Sequence, residues 1–236
     1  MRIGTTGILL MLCLINVSIA QVEDERKPNV LFIAIDDLND WVGCLGGNPQ
    51  AITPNFDRYA KEHGMVMNKA YCPSTVCGPT RSALLTGRYP LRSKGWAMPA
   101  DEITFAERMK GVGYQTACVG KWDVSNRKAI IDRMPNAQGF DYYFGTLGAN
   151  DGGGVKFHEN NKEAGTSRDM GELTTLYTDK SIEYLKKKRD PKKPFILYLA
   201  HTMMHTIIDA SDRFRGKSRG GLYGDVVEEF DYETGR

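Results

Sequence analysis

The sequence lacks three features that define broad protein classes: a sustained basic stripe, an apolar run of membrane-spanning length and an internal repeat. Its 236 residues carry 31 Lys and Arg against 29 Asp and Glu, so charge gives no support to nucleic-acid binding. The apolar run at residues 8–17 is shorter than the roughly 20 residues that a membrane helix needs. The composition, with 41% hydrophobic residues, is that of a globular chain with one sizeable core.

The N-terminus has the pattern of a secretion signal. Arg2 precedes the apolar run at residues 8–17, and the small residues Ser18 and Ala20 stand at the positions that a signal peptidase reads before Gln21. We therefore predict that residues 1–20 are a signal peptide and that the mature chain is secreted or periplasmic. Cys13 is not predicted to be lipidated, because Leu12 before it is bulky where a lipoprotein signal has a small residue.

Four cysteines remain after the predicted cleavage, in a compartment that allows disulfides. They are Cys44, Cys72, Cys77 and Cys118. Their spacing does not dictate the pairing, so a structural bridge between Cys72 and Cys77 stays open.

Three apolar runs predict the strands of a parallel sheet, at residues 29–35, 115–119 and 195–200. Helices are predicted at residues 54–63 behind a Thr53 cap, after the capping box of Thr104 and Glu107, between residues 173 and 185, and at residues 222–232. Residues 123–171 carry few helix or strand signals and are predicted to form a long loop. This order predicts an α/β fold with a mostly parallel central sheet flanked by helices.

Polar side chains follow each predicted strand. Asp36 and Asp37 follow the first strand, Lys121 the second, and His201 and His205 the third. Because ligands bind beyond the carboxyl ends of parallel strands, we expect these groups to meet at one edge of the sheet. Adjacent carboxylates there favour a hard cation; the alternative is that one of them merely caps the next element.

Residues 77–88 read Cys-Gly-Pro-Thr-Arg-Ser-Ala-Leu-Leu-Thr-Gly-Arg. Pro79 suits the first position of a helix, which would set Cys77 before free backbone donors that favour an anion. Arg81, one turn along, adds a fork of charged donors suited to a tetrahedral oxyanion. Alternatively, Cys77 is a buried cysteine before an ordinary helix.

The twelve-residue string resembles the sulfatase signature C-x-P-x-R with its Leu-Thr-Gly-Arg ending, and residues 29–37 and 113–122 look like two further blocks of that family. The resemblance implies an alkaline-phosphatase-like fold and oxidation of Cys77 to formylglycine by a maturation enzyme. It further implies calcium held by Asp36, Asp37 and residue 77. Arg81 and Lys121 would hold the hydrated aldehyde and the sulfate, with His205 at the sulfate or the leaving oxygen. The implied substrate is a sulfated small molecule or carbohydrate.

Two departures from the family pattern bear on activity. Asp123 stands where most members carry His, so Asp123 is the expected base unless that role has moved; its carboxylate would also repel sulfate. The family's substrate contact after Gly-Phe-Asp is assigned here to Asn150, with Asp151 beside it.

The chain stops before the family's Asp-Asn pair, a further Lys and the C-terminal subdomain. Residues 21–236 are therefore expected to be the N-terminal part of a sulfatase catalytic domain, with an inactive fragment as one alternative. A formylglycine-type phosphoesterase and a non-catalytic secreted binding protein on the same scaffold are the alternatives.

Overall fold

The computed structural model describes residues 27–236 and contains one six-stranded mixed sheet. The predicted signal peptide lies outside the described residues. The strands are β1 (Val30–Ala34), β2 (Gln115–Lys121), β3 (Tyr142–Thr146), β4 (Val155–Glu159), β5 (Lys162–Ser167) and β6 (Phe195–Ala200). Their order across the sheet is β1-β6-β2-β3-β4-β5. The first four strands in this order pair in parallel, whereas β4 pairs antiparallel with both β3 and β5.

The register of the three predicted strands aligns their carboxyl ends. Ala34 of β1 pairs with Ala200 of β6, and Ala200 pairs with Gly120 of β2. The residues that follow each strand are therefore neighbours at one edge, as the sequence predicts.

Helices cover both faces of the sheet. They are α1 (Pro54–Glu62), α2 (Cys77–Thr86), α3 (Pro90–Ser93), α4 (Phe105–Gly111), α5 (Leu173–Glu183) and α6 (Gly221–Gly235), and α5 continues as a π-helical turn over Tyr184–Lys188. On one face, Leu197 and its sheet neighbours pack with Tyr177 of α5 and Phe230 of α6. On the other, Tyr198 packs with Leu85 of α2. Alternate residues of one strand thus serve two cores. Among residues 27–236, no helix combines the length and apolarity needed to cross a membrane.

The predicted helices are confirmed with two adjustments at their N-termini. The capping box is present, since the Glu107 amide donates to Thr104 Oγ1 at 3.2 Å and Glu107 accepts from the Thr104 amide at 2.7 Å. Thr53 precedes α1 but makes no capping hydrogen bond. Asp231 of α6 instead accepts hydrogen bonds from the Asn55 and Phe56 amides at the start of α1, and these bonds connect α1 to α6. The second adjustment concerns α2 and is described with the site.

The predicted long loop at residues 123–171 is wrong, because β3, β4 and β5 lie within it. Strand β3 is fully buried. Strand β5 is polar and mostly exposed, so β5 lacks the apolar run that marks a central strand. A turn at Asn160, with φ 52°, joins β4 to β5.

Candidate active site

Cys77 is the first residue of α2 and opens the candidate site. The helix begins two residues earlier than Pro79 suggests, because the Thr80 amide already donates to the Val76 carbonyl at 3.1 Å. Cys77 is partly exposed, and all four described cysteines are free thiols, so the alternative bridge to Cys72 is not formed. Burial and the nearby Asp123 raise the pKa of the Cys77 thiol despite the opposing charge of Lys121. The group is therefore a neutral thiol at neutral pH, unlike an activated thiolate nucleophile.

A cavity of about 360 Å³ lies in front of Cys77. Its walls include Asp36 and Asp37 from the end of β1, and Arg81 from the first turns of α2. The cavity therefore brings the signature cysteine together with the paired carboxylates that the sequence places after the first strand.

Arg81 is buried and connects three strand ends. Its Nη1 donates to the Lys121 carbonyl at 3.1 Å and lies 3.4 Å from the Tyr198 hydroxyl. Its Nη2 donates to the His201 carbonyl at 3.1 Å and to Asp36 Oδ2 at 3.3 Å. A guanidinium held by this many acceptors has a fixed orientation.

Lys121 is fully buried between two carboxylates. Its Nζ lies 2.7 Å from Asp36 Oδ2 and 3.5 Å from Asp123 Oδ2. Burial opposes ionisation of Asp36, but Arg81, Lys121 and more weakly His205 outweigh burial and lower the Asp36 pKa. Asp36 is thus an anion inside the fold, and it holds both cations beside the cavity.

Asp123 faces the site, with only 2% of its surface exposed. The Cys77 thiol donates to its Oδ2 at 3.2 Å, and Arg127 Nε donates to its Oδ1 at 3.1 Å. Asp123 and Arg127 both adopt left-handed backbone conformations, with φ of 56° and 55°. Such conformations cost of order 1–3 kcal/mol each for non-glycine residues and cluster at functional sites.

Asp37 and His205 are the more exposed members of the predicted set, and of these two only Asp37 lines the cavity. Asp37 is exposed, and its carbonyl accepts from the Tyr223 hydroxyl at 2.6 Å. The ring of His205 is partly exposed, and its Nδ1 lies 2.7 Å from the Thr206 carbonyl. Arg127 is the main group that lowers the Asp151 pKa against burial, and His205 makes a smaller contribution there and at Asp36.

Two polar residues of the predicted set take structural positions. Asn150 is fully buried, and its amide donates to the carbonyls of His205 at 2.8 Å and Ile207 at 2.9 Å. These hydrogen bonds give Asn150 a structural role, and its assignment as a substrate contact stays a prediction. His201 is also buried; its Nδ1 accepts from the Met203 amide at 3.0 Å, and burial lowers the His201 pKa to about 3.

The described residues do not form a complete calcium site. Asp36 and Asp37 offer adjacent carboxylates at the cavity, but Ca²⁺ takes 6–8 oxygen ligands. Within residues 27–236, no group of three or more His, Cys, Asp or Glu is arranged to hold a metal ion.

Two residues of the site, Tyr198 and Arg127, are not predicted from the sequence. Tyr198 lies inside an apolar strand, where its ring suffices to explain it as core, and only its hydroxyl reaches Arg81. Arg127 follows Asp123 by four residues, a spacing that pairs side chains on a helix. Here the pair forms across a left-handed turn instead.

Comparison with known proteins identifies the family of the chain. The sulfatase family model matches residues 28–236. N-acetylgalactosamine-6-sulfatase of Sus scrofa is 33% identical over 250 residues, covering 89% of this chain and 46% of the relative. The chain thus spans about half the length of the curated relatives it matches.

Solved structures show the same fold. Ps i-CgsB in complex with k-i-k-neocarrahexaose matches with a TM-score of 0.77 and 27% identity, over 89% of this chain and 54% of that one. An alkaline phosphatase superfamily protein of Vibrio parahaemolyticus matches with a TM-score of 0.58 and 22% identity, over 89% and 49% of the two chains, which shows likeness of fold alone. The family model covers nearly all of the described chain, and the chain therefore belongs to the sulfatase family.

Proposed function

We propose that the protein hydrolyses a sulfate ester, with residue 77 as the site of attack on sulfur. The observation that carries this proposal is that Arg81 lines the cavity into which Cys77 opens, while Lys121 lies behind it against Asp36, which also lines the cavity. The names of the relatives support the reaction, since they are sulfatases. The proposed substrate is a sulfated small molecule or carbohydrate.

We propose that Cys77 is oxidised to formylglycine by a maturation enzyme in the exporting cell. In that form, residue 77 would supply a hydrated aldehyde. One hydroxyl attacks sulfur while the bond from sulfur to the ester oxygen breaks and the alcohol leaves. The second hydroxyl then loses its proton and expels sulfate, which restores the aldehyde. Three features of Cys77 support a precursor role: it is partly exposed, it is not in a disulfide and its thiol has a raised pKa. The predicted export through a signal peptide fits such a maturation but stays a prediction.

Arg81 and Lys121 are the proposed sulfate ligands. Both are held by Asp36, which fixes their positions before substrate binds. Fixed cations beside the reacting sulfur stabilise negative charge on its oxygens without reorganisation in the transition state. Asp36 and Asp123 together balance the two charges, so Arg81 and Lys121 would act as oriented hydrogen-bond donors to the sulfate oxygens rather than as a net positive charge.

Asp123 and His205 are the proposed proton carriers. Oδ2 of Asp123 lies within hydrogen-bond distance of the side chain of residue 77 and would accept a proton from it. Lys121 and Arg127 flank the same carboxylate, which offsets its repulsion of sulfate. His205, which is partly exposed, would donate a proton to the leaving oxygen.

Calcium is the proposed metal, with Asp36, Asp37 and residue 77 contributing to its ligand set. A bound Ca²⁺ would neutralise charge on the sulfate oxygens. Since the described residues supply fewer oxygens than Ca²⁺ requires, the remaining ligands would have to come from other groups.

The proposal is tested by comparing hydrolysis of 4-nitrophenyl sulfate and 4-nitrophenyl phosphate by protein expressed with a maturation enzyme. We expect sulfate turnover that is lost in Cys77→Ala and falls by about 100-fold or more in Lys121→Met, as for removal of an oxyanion donor. Cys44→Ala, remote from the cavity, is the matched control and should retain turnover. A preference for the phosphate ester would favour the phosphoesterase alternative, and binding without turnover of either ester would favour a non-catalytic scaffold.

A further inference from the structure

An exposed tryptophan lies directly against the signature helix. Trp96 has 44% of its surface exposed, although it is one of only three tryptophans in the chain. Its indole occupies the space beside Gly78, where a Cβ atom would overlap the ring. Gly78 follows Cys77, so the aromatic ring stands next to the residue at which attack on sulfur is proposed.

A charged pair stands over the same ring. The Arg127 guanidinium lies 5.9 Å from the centroid of Trp96, and its Nη1 lies 3.2 Å from Asp151 Oδ2. Both charged side chains are 43% exposed, so they offer hydrogen-bonding groups to solvent or to a ligand. Trp96, Arg127 and Asp151 therefore form one surface beside Cys77, with an aromatic ring and charged groups next to it; we call this surface the platform.

The backbone holds this platform together. The Asn126 amide donates to the Trp96 carbonyl at 3.0 Å, and Ala97 forms an isolated bridge with Ser125. Asn126 and Arg127 both adopt left-handed conformations, with φ of 55°. A non-glycine pair in this region is uncommon, and such conformations concentrate at ligand clamps and active sites. The turn fixes Arg127 above Trp96 instead of leaving it free on the surface.

We infer that Trp96, Arg127 and Asp151 form a subsite that binds the sugar ring of a sulfated carbohydrate; the inference rests on the proposed function. The flat indole would stack on the apolar C–H face of the ring, as aromatic side chains do in ligand sites. Asp151 would accept from ring hydroxyls and Arg127 would donate to their oxygens. An aryl sulfate offers no such hydroxyls, so Asp151 would contribute little to its binding.

The kinetic test compares sulfated monosaccharides and disaccharides with 4-nitrophenyl sulfate. We expect Asp151→Ala to raise KM for the saccharides by about tenfold more than KM for 4-nitrophenyl sulfate, with the kcat ratio of the two substrates nearly unchanged. Trp96→Ala should raise the saccharide KM at least as much, and Trp96→Phe should restore most of it. Tyr59→Ala, which removes another exposed aromatic, is the control and should change neither substrate.

A binding test keeps the inference separate from catalysis. Intrinsic fluorescence of Cys77→Ala protein should change on titration with the sulfated saccharides, and the change should vanish when Trp96→Phe is added. Trp122 is buried, so it is a poor reporter of this surface. Saccharide binding by Trp96→Ala and Asp151→Ala is therefore measured by calorimetry. Binding equal to that of the Cys77→Ala parent, or no saccharide binding by that parent, would overturn the inference. Retained hydrolysis of 4-nitrophenyl sulfate in either case would leave the proposed function standing.

Discussion

Arg81→Met is expected to be the most disruptive single substitution at the site. Arg81 is buried, donates to the carbonyls of Lys121 and His201, and forms an ion pair with Asp36 at 3.3 Å. Methionine fills much of the same volume but cannot donate a hydrogen bond. The substitution therefore leaves two buried carbonyl acceptors and one carboxylate without this partner.

The magnitude follows from which partners remain. Asp36 keeps its 2.7 Å contact with Lys121, so its charge is not left wholly unpaired. Removing one member of a buried ion pair costs about 3–5 kcal/mol, and the orphaned carbonyls add to that cost. We therefore expect the free energy of unfolding to fall by at least ~3 kcal/mol. The measurement is urea denaturation followed by circular dichroism, with the slope of the transition unchanged.

Lys110→Met is the matched control, because it removes a cation from an exposed ion pair. Lys110 lies 2.6 Å from Asp141, and the two side chains are 54% and 39% exposed. Exposed pairs contribute about 0–1 kcal/mol. The reasoning would be refuted if Arg81→Met lost less than ~1 kcal/mol, or no more than the control. That result would mean that the buried guanidinium does not organise the strand ends.

Two further predictions concern residues behind the site. Because burial lowers the His201 pKa to about 3, the unfolded chain takes up a proton below about pH 6.5 that the folded chain does not. As the pH is lowered from 6.5 to 5, the free energy of unfolding should fall by up to about 1.4 kcal/mol per pH unit. A free energy that does not change with pH, or the same pH dependence in His201→Phe, would contradict this. Asn150→Ala removes the donors to the His205 and Ile207 carbonyls, so it should lower the free energy of unfolding by about 1–3 kcal/mol and also lower kcat. Asn161→Ala, at an exposed position, should change neither the free energy of unfolding nor kcat.

The part of the fold that the sequence predicts is the part in which local pattern and burial agree. The runs at residues 29–35, 115–119 and 195–200 are apolar because their strands are covered by helices on both faces. Parallel pairing then brings Asp36 and Lys121 together with no further information. The capping box of α4 is similarly local, since its two partners lie three residues apart.

The remainder depends on contacts between distant segments. Strand β5 is polar and forms only because it pairs with β4, so its composition alone does not predict it. Asn150 is polar in a glycine-rich stretch, and only the folded chain places it beneath the carbonyls of the segment after β6. Arg127 reaches Asp123 because an unusual left-handed turn follows β2, which no periodic pattern signals.

Mass spectrometry of the peptide containing residue 77 tests the central claim most directly. The protein should be produced in a host that carries a formylglycine-generating enzyme, and Cys44 should be observed in the same digest as the unmodified reference. The account predicts that Cys77 has exchanged its sulfur for a carbonyl oxygen that reacts with hydrazine reagents, while Cys44 remains a thiol. A Cys77 that keeps its sulfur in protein that nonetheless hydrolyses sulfate esters would contradict the account.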